Sequence, residues 1–162
     1  MVPQQLSAAE RARILAPAAA LFGLGLVIGM VFLFEAIGHI AAWPLVPALD
    51  IQMPGTEEAW RRTHLALLFN AVTMMAFALA GGSIRLTQGA RRLYIISVWV
   101  TGWANSLGFL VGAVFGVRGL EFGAGWSNSL NYLLFLIAVP TAFSQAWLLW
   151  RGARNAMQEG QA

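Results

Sequence analysis

The sequence predicts an all-α fold, an integral membrane four-helix bundle. Of its 162 residues, 59% are hydrophobic and only 10% are charged, whereas a soluble domain carries about 25% charged residues. Four apolar stretches are each long enough to cross a bilayer, and the polar stretches between them are too short to build a second core. We therefore expect residues 1–162 to form a single transmembrane domain with helices at about 14–39, 57–82, 93–115 and 129–150.

The composition excludes several classes of site. All ten basic residues are arginine and the net charge is only +3, so the chain has few ionisable groups. The high isoelectric point therefore does not indicate a nucleic-acid partner. The sequence contains no cysteine, which excludes disulfides, thiolate-ligated metal centres, iron–sulfur clusters and cysteine nucleophiles.

The first predicted helix follows a polar segment, residues 1–13, that resembles the start of a signal peptide. The apolar run from Ile14 to about Ile37 has some 24 residues. That length fits a retained membrane span better than the short hydrophobic region of a signal peptide. Gly25 and Gly29 are spaced for close contact with another helix.

The remaining elements follow from proline, glycine and charge. Three prolines in residues 40–56 indicate a structured loop rather than a span. Helix 2 then begins with two acids in its first turn, as the helix dipole favours. Residues 81–92 and 117–128 are the connections on either side of helix 3. Pro140 is expected to kink helix 4 without ending it, because a bundle interior can satisfy the freed backbone groups.

The arginines predict the orientation of the chain. Seven of them fall on one side of a four-span arrangement and three on the other. By the positive-inside rule, both termini lie in the cytoplasm, and the chain is a multi-pass protein of a bacterial-type inner (cytoplasmic) membrane. The larger group is Arg11, Arg13, Arg85, Arg91, Arg92, Arg151 and Arg154, and the smaller group is Arg61, Arg62 and Arg118.

A polar cluster opens helix 2 and admits two interpretations. Within eight residues, 57–64, the chain places two acids, Arg61, Arg62 and His64, and an apolar run follows at once. The arginines can simply mark a helix end at which His64 makes a hydrogen bond. Alternatively, arginine forks can bind the carboxylates of an anionic cofactor, and imidazole is a good axial ligand for haem iron.

Helix 3 carries a stripe of small and polar residues that recur at spacings of four, four, three and four, which is one face of an α-helix. Uncharged polar groups inside a membrane seek partners or a cavity. Asn70 on helix 2 lies roughly 9 Å along the axis from His64. Hydrogen bonds between helices explain each residue singly, but together they predict a buried polar pocket. The stripe consists of Ser97, Thr101, Asn105, Gly108 and Gly112.

Three segments resemble the styrene oxide isomerase family. They are PGTEEAWRRTHLALLFN (54–70), TGWANSLGF (101–109) and RGLEFG (118–123). The family consists of small four-helix membrane enzymes that open an aryl epoxide to an aldehyde by a Meinwald rearrangement. The resemblance covers roughly residues 50–150, and no gap is needed between the three motifs.

The resemblance implies haem b bound between the protomers of a homotrimer. It implies His64 as the axial ligand of the haem iron and Asn70 as the asparagine of the substrate pocket. Arg61 has no counterpart in the family and is a candidate cofactor contact only through its charge. The other matched positions are Arg62, Trp103, Asn105 and Arg118.

Two candidate catalytic positions depart from the family pattern. Thr101 stands where the styrene enzyme has an aspartate, and Phe109 stands where it has a pocket tyrosine. These changes remove one charge and one hydrogen-bond donor. With Asn70 and Asn105, they complete the predicted catalytic set.

The favoured hypothesis is a haem-b-dependent isomerase of a hydrophobic epoxide taken from the lipid bilayer. Ferric iron held by His64 would act as a Lewis acid towards the epoxide oxygen, with Asn70 donating a hydrogen bond. A water-poor cavity would let the resulting cation rearrange to a carbonyl instead of forming a diol.

Two further hypotheses use other features of the chain. A membrane haem protein with a redox or gas-sensing role would need a second axial ligand, and His39 is the only other histidine. A proton-linked transporter would use Glu35 with His39, predicted one turn apart at the end of helix 1. Four spans without an internal repeat speak against a transporter, and the same pair can simply anchor helix 1 to the loop.

Overall fold

The computed structural model describes residues 3–42, 44–50 and 52–159. Within these residues, the chain forms four helices, all long and apolar enough to cross a membrane, and one small sheet. This architecture confirms the predicted all-α membrane bundle. The elements are α1 (Ala8–Ile37), β1 (His39–Ala42), β2 (Val46–Asp50), α2 (Glu57–Ala80), α3 (Gln88–Phe115) and α4 (Trp126–Glu159).

Helix α1 begins one and a half turns earlier than its apolar run predicts. Ser7 and Glu10 form a capping box, in which the Ser7 hydroxyl accepts from the Glu10 N–H and the Glu10 carboxylate accepts from the Ser7 N–H. This pair satisfies free donors at the helix start, so the polar turn joins the helix. The helix ends at Ile37, where Gly38 takes a left-handed φ of 75°.

Helices α3 and α4 are also longer than predicted. The segment predicted as a connection, 81–92, already becomes helical at Gln88, and α4 runs from Trp126 through Pro140 to Glu159. Hydropathy marks only the part of a helix that suits lipid, so polar turns beyond it were assigned to loops.

The loop predicted for residues 40–56 contains a two-stranded antiparallel hairpin, in which His39 pairs with Asp50. His39 therefore lies in β1 and does not continue the last turn of α1 beside Glu35, which corrects that expectation. The Glu35 carboxylate instead accepts a hydrogen bond of 3.3 Å from the Met53 N–H. Glu35 thus anchors α1 to the returning chain, but without His39, with which the simpler hypothesis paired it.

The helices pack largely in chain order. Helix α1 lies on α2, α2 on α3, and α3 on α4, while α1 also reaches α3. Small residues bring the helices close: a Cβ on Gly102 of α3 would collide with the Met74 sulfur of α2. The buried Tyr94 hydroxyl donates to the Phe77 carbonyl at 2.8 Å and ties α3 to α2 at the same interface.

One end of the bundle gathers the N-terminal segment, the α2–α3 connection and the end of α4. Gln4 and Leu86 exchange backbone hydrogen bonds, and the Arg85 N–H donates to the Gly152 carbonyl at 3.0 Å. The seven arginines of the larger group all lie on these segments or on the adjoining helix turns. The charge separation predicted from the sequence is therefore present in the fold.

Gly55, which precedes α2, should be the least replaceable glycine of this region. Its φ is 91°, and an added Cβ would collide with the Ala113 carbonyl oxygen of α3. Gly55→Ala should destabilise the fold by about 1–3 kcal/mol from backbone strain alone, measured as a lower thermal midpoint in detergent. Gly23→Ala is the control, because nothing lies within 4 Å of that position on α1. Equal midpoints for the two variants would contradict the assigned contact.

Candidate functional site

The backbone of α1 positions the His64 side chain. His64 Nδ1 lies 2.8 Å from the Gly25 carbonyl oxygen. Because a carbonyl only accepts, Nδ1 donates in this contact, and Nε2 is the ring nitrogen left for another partner. The ring lies directly over Gly29, where an added Cβ would come within 2.7 Å of Cε1. Phe32 stacks nearly parallel to it, with centroids 6.4 Å apart.

This arrangement suits a metal ligand. An imidazole that donates one ring N–H to a backbone carbonyl has its tautomer and orientation fixed, as metal-ligating histidines usually do. In the described part of the chain, no hydrogen bond occupies Nε2. The described residues also contain no group of three or more His, Cys, Asp or Glu side chains that could hold a metal ion. Among the described residues of one chain, His64 would thus be a single protein ligand, the number that a proximal histidine supplies to haem iron.

Asn70 lies in a hydrogen-bonded chain of side chains between α2 and α3. Its Oδ1 accepts from Asn105 Nδ2 at 3.3 Å, and its Nδ2 donates to Ser106 Oγ at 3.0 Å. Asn70 is only 8% exposed. These bonds fix the amide and leave its second N–H available. Ser106 was missed from the sequence because it lies one residue outside the polar stripe.

A groove of about 420 Å³ runs beside this amide pair. Its remaining walls are apolar, so the two amides are its polar groups. The structure thus brings Asn70, Asn105 and Phe109 together, as the sequence predicted. The lining residues are Leu65, Ala66, Phe69, Asn70, Asn105 and Phe109.

A second cavity of about 200 Å³ adjoins the groove and is lined by residues of α2, α3, α4 and the loop before α4. Phe109 lines both spaces and meets Phe135 edge to face, with centroids 5.4 Å apart. Arg62 and Arg118 both line this cavity, so the two family-matched arginines converge. Arg62 is only loosely paired, with Nε 3.8 Å from Glu58 Oε1.

Helix α4 contributes residues that the sequence interpretation missed. Asn131 is 1% exposed and lines the second cavity, and its Oδ1 is buried without a hydrogen-bond partner among the described residues. Buried polar side chains on a membrane helix were a usable signal.

Three predicted site residues lie apart from these cavities. The Thr101 hydroxyl donates to Thr141 Oγ1 at 2.8 Å and ties α3 to α4. Arg61 is exposed and lines neither space. Trp103 is partly buried against the hydrophobic core, and its Nε1 has no hydrogen-bond partner among the described residues, so its role as a cofactor contact stays a prediction. Two residues beyond Thr101, its side chain points about 200° away around the helix.

The polar stripe of α3 also faces differently from the prediction. Only Asn105 reaches Asn70, whereas Gly108 and Gly112 face Phe135 and Asn131 on α4. Most of the stripe is therefore a surface for close packing of α4, and the pocket is shorter than predicted.

His64 and Asn70 lie on different flanks of α2. Six residues separate them, which is about 120° around an α-helix. His64 contacts α1 and Asn70 contacts α3. The axial spacing of about 9 Å thus describes only part of their separation, because the two side chains also point to different neighbouring helices.

Residues 10–154 match the family model described as styrene oxide isomerase. The chain belongs to the styrene oxide isomerase family. Over 122 residues it is 31% identical to the styrene-oxide isomerase of Pseudomonas fluorescens, an alignment that covers 74% of this chain and 67% of that protein. Membership confirms the resemblance seen in the three motifs and makes the chain an epoxide isomerase.

Removing the Ser106 hydroxyl tests whether the amide chain supports this isomerase activity. Without its acceptor, the Asn70 amide can rotate away from the groove, so Ser106→Ala should lower kcat roughly tenfold, the effect of one hydrogen bond. Ser144→Ala is the control, because that exposed hydroxyl only bonds the Pro140 carbonyl of its own helix. Steady-state kinetics on an epoxide substrate measure both variants. An unchanged kcat in Ser106→Ala would remove Ser106 from the positioning of Asn70.

Proposed function

We propose that this member of the family is a haem-b-dependent isomerase that converts a hydrophobic, aryl-substituted epoxide to a carbonyl compound by a Meinwald rearrangement. The observation that carries the proposal is the His64 ring, which the Gly25 carbonyl fixes in one tautomer with Nε2 unpartnered among the described residues. The aryl substrate is proposed from the name of the Pseudomonas fluorescens relative, a styrene-oxide isomerase.

The residues present fit haem. His64 offers a neutral imidazole nitrogen, and Arg62 and Arg118 converge on one cavity, where their guanidinium groups can bind propionate carboxylates. When bound, ferric haem supplies a Lewis-acidic site for the epoxide oxygen.

The groove residues have separate tasks in the proposed reaction. The free N–H of Asn70 donates to the epoxide oxygen, and Asn105 and Ser106 hold that amide in place. One C–O bond of the epoxide breaks, a hydrogen or carbon group migrates to the cationic carbon, and the oxygen becomes a carbonyl. The carbonyl product is an isomer of the epoxide, so the reaction needs no reductant or second substrate. Apolar side chains such as Leu65 and Phe69 exclude water, which would otherwise trap the cation as a diol.

The groove is uncharged, and only one of the two departures from the family pattern, Phe109, belongs to its lining. Thr101 is hydrogen-bonded to Thr141 outside the groove, and Phe109 adds an aromatic wall without a hydroxyl. No carboxylate belongs to the groove lining among the described residues. The cation therefore meets aromatic faces and amides, and the site offers no anionic nucleophile to capture it.

The positions of His64 and Asn70 support a shared site in a homotrimer. Because they lie on different flanks of α2, one chain presents them to different neighbouring helices. In a closed ring of identical subunits, the flank of one chain meets a different flank of the next. His64 of one chain can then complete the groove that contains Asn70 of the other.

The fold gives little support to the alternative, a redox or gas-sensing haem protein that would use His39 as a second axial ligand. His39 lies in the β1–β2 hairpin opposite Asp50, beyond the end of α1.

We further propose that the arginine-rich end of the bundle faces the cytoplasm of a bacterial-type inner membrane, because seven of the ten arginines belong to it.

The cofactor and the reaction can be tested with one pair of variants. His64→Ala should purify without the Soret band of bound haem and should give no carbonyl product from styrene oxide. His39→Ala is the matched control and should keep both the Soret band and the formation of carbonyl product. An absorption spectrum of the detergent-purified protein and product analysis by gas chromatography measure them. Haem retained in His64→Ala would refute the ligand, and a haem-loaded wild type no better than free haem would refute the reaction.

Mixed oligomers test the shared site. His64→Ala and Asn70→Ala chains, each with a different tag, are co-expressed and purified through both tags. In such a mixed trimer, one of the three interfaces joins an intact His64 to an intact Asn70, so activity should return to about one third of the wild-type value. If both residues serve the site within one chain, every site stays defective and activity does not exceed that of the Asn70→Ala homotrimer.

A further inference from the structure

A third cavity lies at the arginine-rich end of the bundle, where the first turns of α1 and α3 lie side by side. It has a volume of about 400 Å³ and is separate from the groove and cavity of the candidate site. Its polar lining includes Gln4, Glu10, Arg13, Arg91 and Arg92. We propose that this cavity and the apolar groove next to it bind one anionic phospholipid.

The charges of the cavity are not balanced internally. Arg91 forms a salt bridge with Glu10, in which Arg91 Nε lies 3.1 Å from Glu10 Oε1 and both side chains are at most 20% exposed. Arg91 also donates to Gln4 Oε1 at 3.3 Å, so it is a structural residue of the cavity wall. Arg13 and Arg92 are exposed, and neither has a carboxylate within salt-bridge distance in the described ranges. Two free guanidinium forks over one cavity fit a phosphate group.

The neighbouring groove identifies the anion as a lipid. It has a volume of about 330 Å³, and Arg13, Ile95, Ile96, Trp99 and Val100 line it. Arg13 and Ile95 also line the polar cavity, so the two spaces adjoin. Trp99 is 48% exposed and Ile96 is 57% exposed, so this apolar surface lacks a covering element among the described residues.

The dimensions agree with a phospholipid in one leaflet. From Arg92 to Val100, α3 rises about 12 Å at 1.5 Å per residue, and half of the hydrocarbon core is about 15 Å thick. A phosphate bound at Arg13 and Arg92 would therefore place an acyl chain along Ile96 and Trp99. A free phosphate ion would use the arginines but not the groove.

Such a lipid would bridge α1 and α3, since Arg13 belongs to the first helix and Arg92, Ile96 and Trp99 belong to the third. Both helices pack on α2. The lipid would thus hold the helix that carries Gly25 and Gly29 against the helix that carries His64. The binding itself is independent of the proposed haem chemistry.

The experiment measures phospholipid binding to the detergent-purified full chain by native mass spectrometry. Phosphatidylglycerol, titrated against phosphatidylcholine, should bind preferentially to the wild type. The double variant Arg13→Gln with Arg92→Gln should weaken phosphatidylglycerol binding by roughly 30-fold, because each arginine near an anionic lipid contributes about fivefold. Each single variant should bind phosphatidylglycerol about fivefold more weakly than the wild type. The single variants provide the same test if the double variant does not fold.

The matched control removes two arginines from the same end of the bundle. Arg151→Gln with Arg154→Gln should keep the preference, because these guanidinium groups lie over the Trp147 and Trp150 rings, at 5.2 and 5.0 Å, outside the cavity. Trp99→Ala should weaken binding without abolishing the preference. The proposal is overturned if the wild type does not distinguish the two lipids or if the control loses as much as the double variant. Full displacement of the lipid by inorganic phosphate would also overturn it, in favour of a free-anion site.

Discussion

A polar side chain inside a bilayer must find its partner within the protein, because lipid offers no hydrogen bonds. In this bundle that requirement links the helices pair by pair. His64 bonds the backbone of α1, Asn70 bonds Ser106 between α2 and α3, and Thr101 bonds Thr141 between α3 and α4. The hydrogen bonds that hold the bundle together therefore also orient the candidate site, and these side chains are fixed before any substrate arrives.

Glycine makes the His64 contact possible. The Gly25 carbonyl can accept through its second lone pair while remaining part of α1, so the contact does not interrupt the helix. Gly29 has no side chain to hold the imidazole away from the α1 backbone, and a Cβ at Gly25 would come within 2.8 Å of the Leu68 side chain on α2. Any larger residue at position 29 would occupy the space of Cε1 and Nδ1. The spacing of these glycines indicated a helix contact, and the structure shows that the contact positions the His64 ring.

The sequence predicts those parts of the molecule that depend on local pattern. Hydropathy located all four helices, and periodicity placed Asn105 on the face of α3 that meets Asn70. The hairpin was missed because strands of four and five residues carry too little pattern. The different partner helices of His64 and Asn70 depend on which helices flank α2, and that order arises only from tertiary packing. Ser106 lies one residue outside the polar stripe, so only its contact with Asn70 on the neighbouring helix reveals its role.

Because the groove is uncharged, the proposed reaction depends on how well the substrate itself stabilises the developing cation. With Phe109 in its wall and no carboxylate in its described lining, the protein can stabilise a developing cation only through aromatic faces and through polarisation of the epoxide oxygen. A cation next to an aryl ring is already delocalised, whereas a simple alkyl cation is not. The same absence of an anion prevents capture of the cation by the protein, so rearrangement faces less competition. The proposed preference for aryl epoxides therefore rests on the absence of a charged group in the groove as well as on its aromatic contacts.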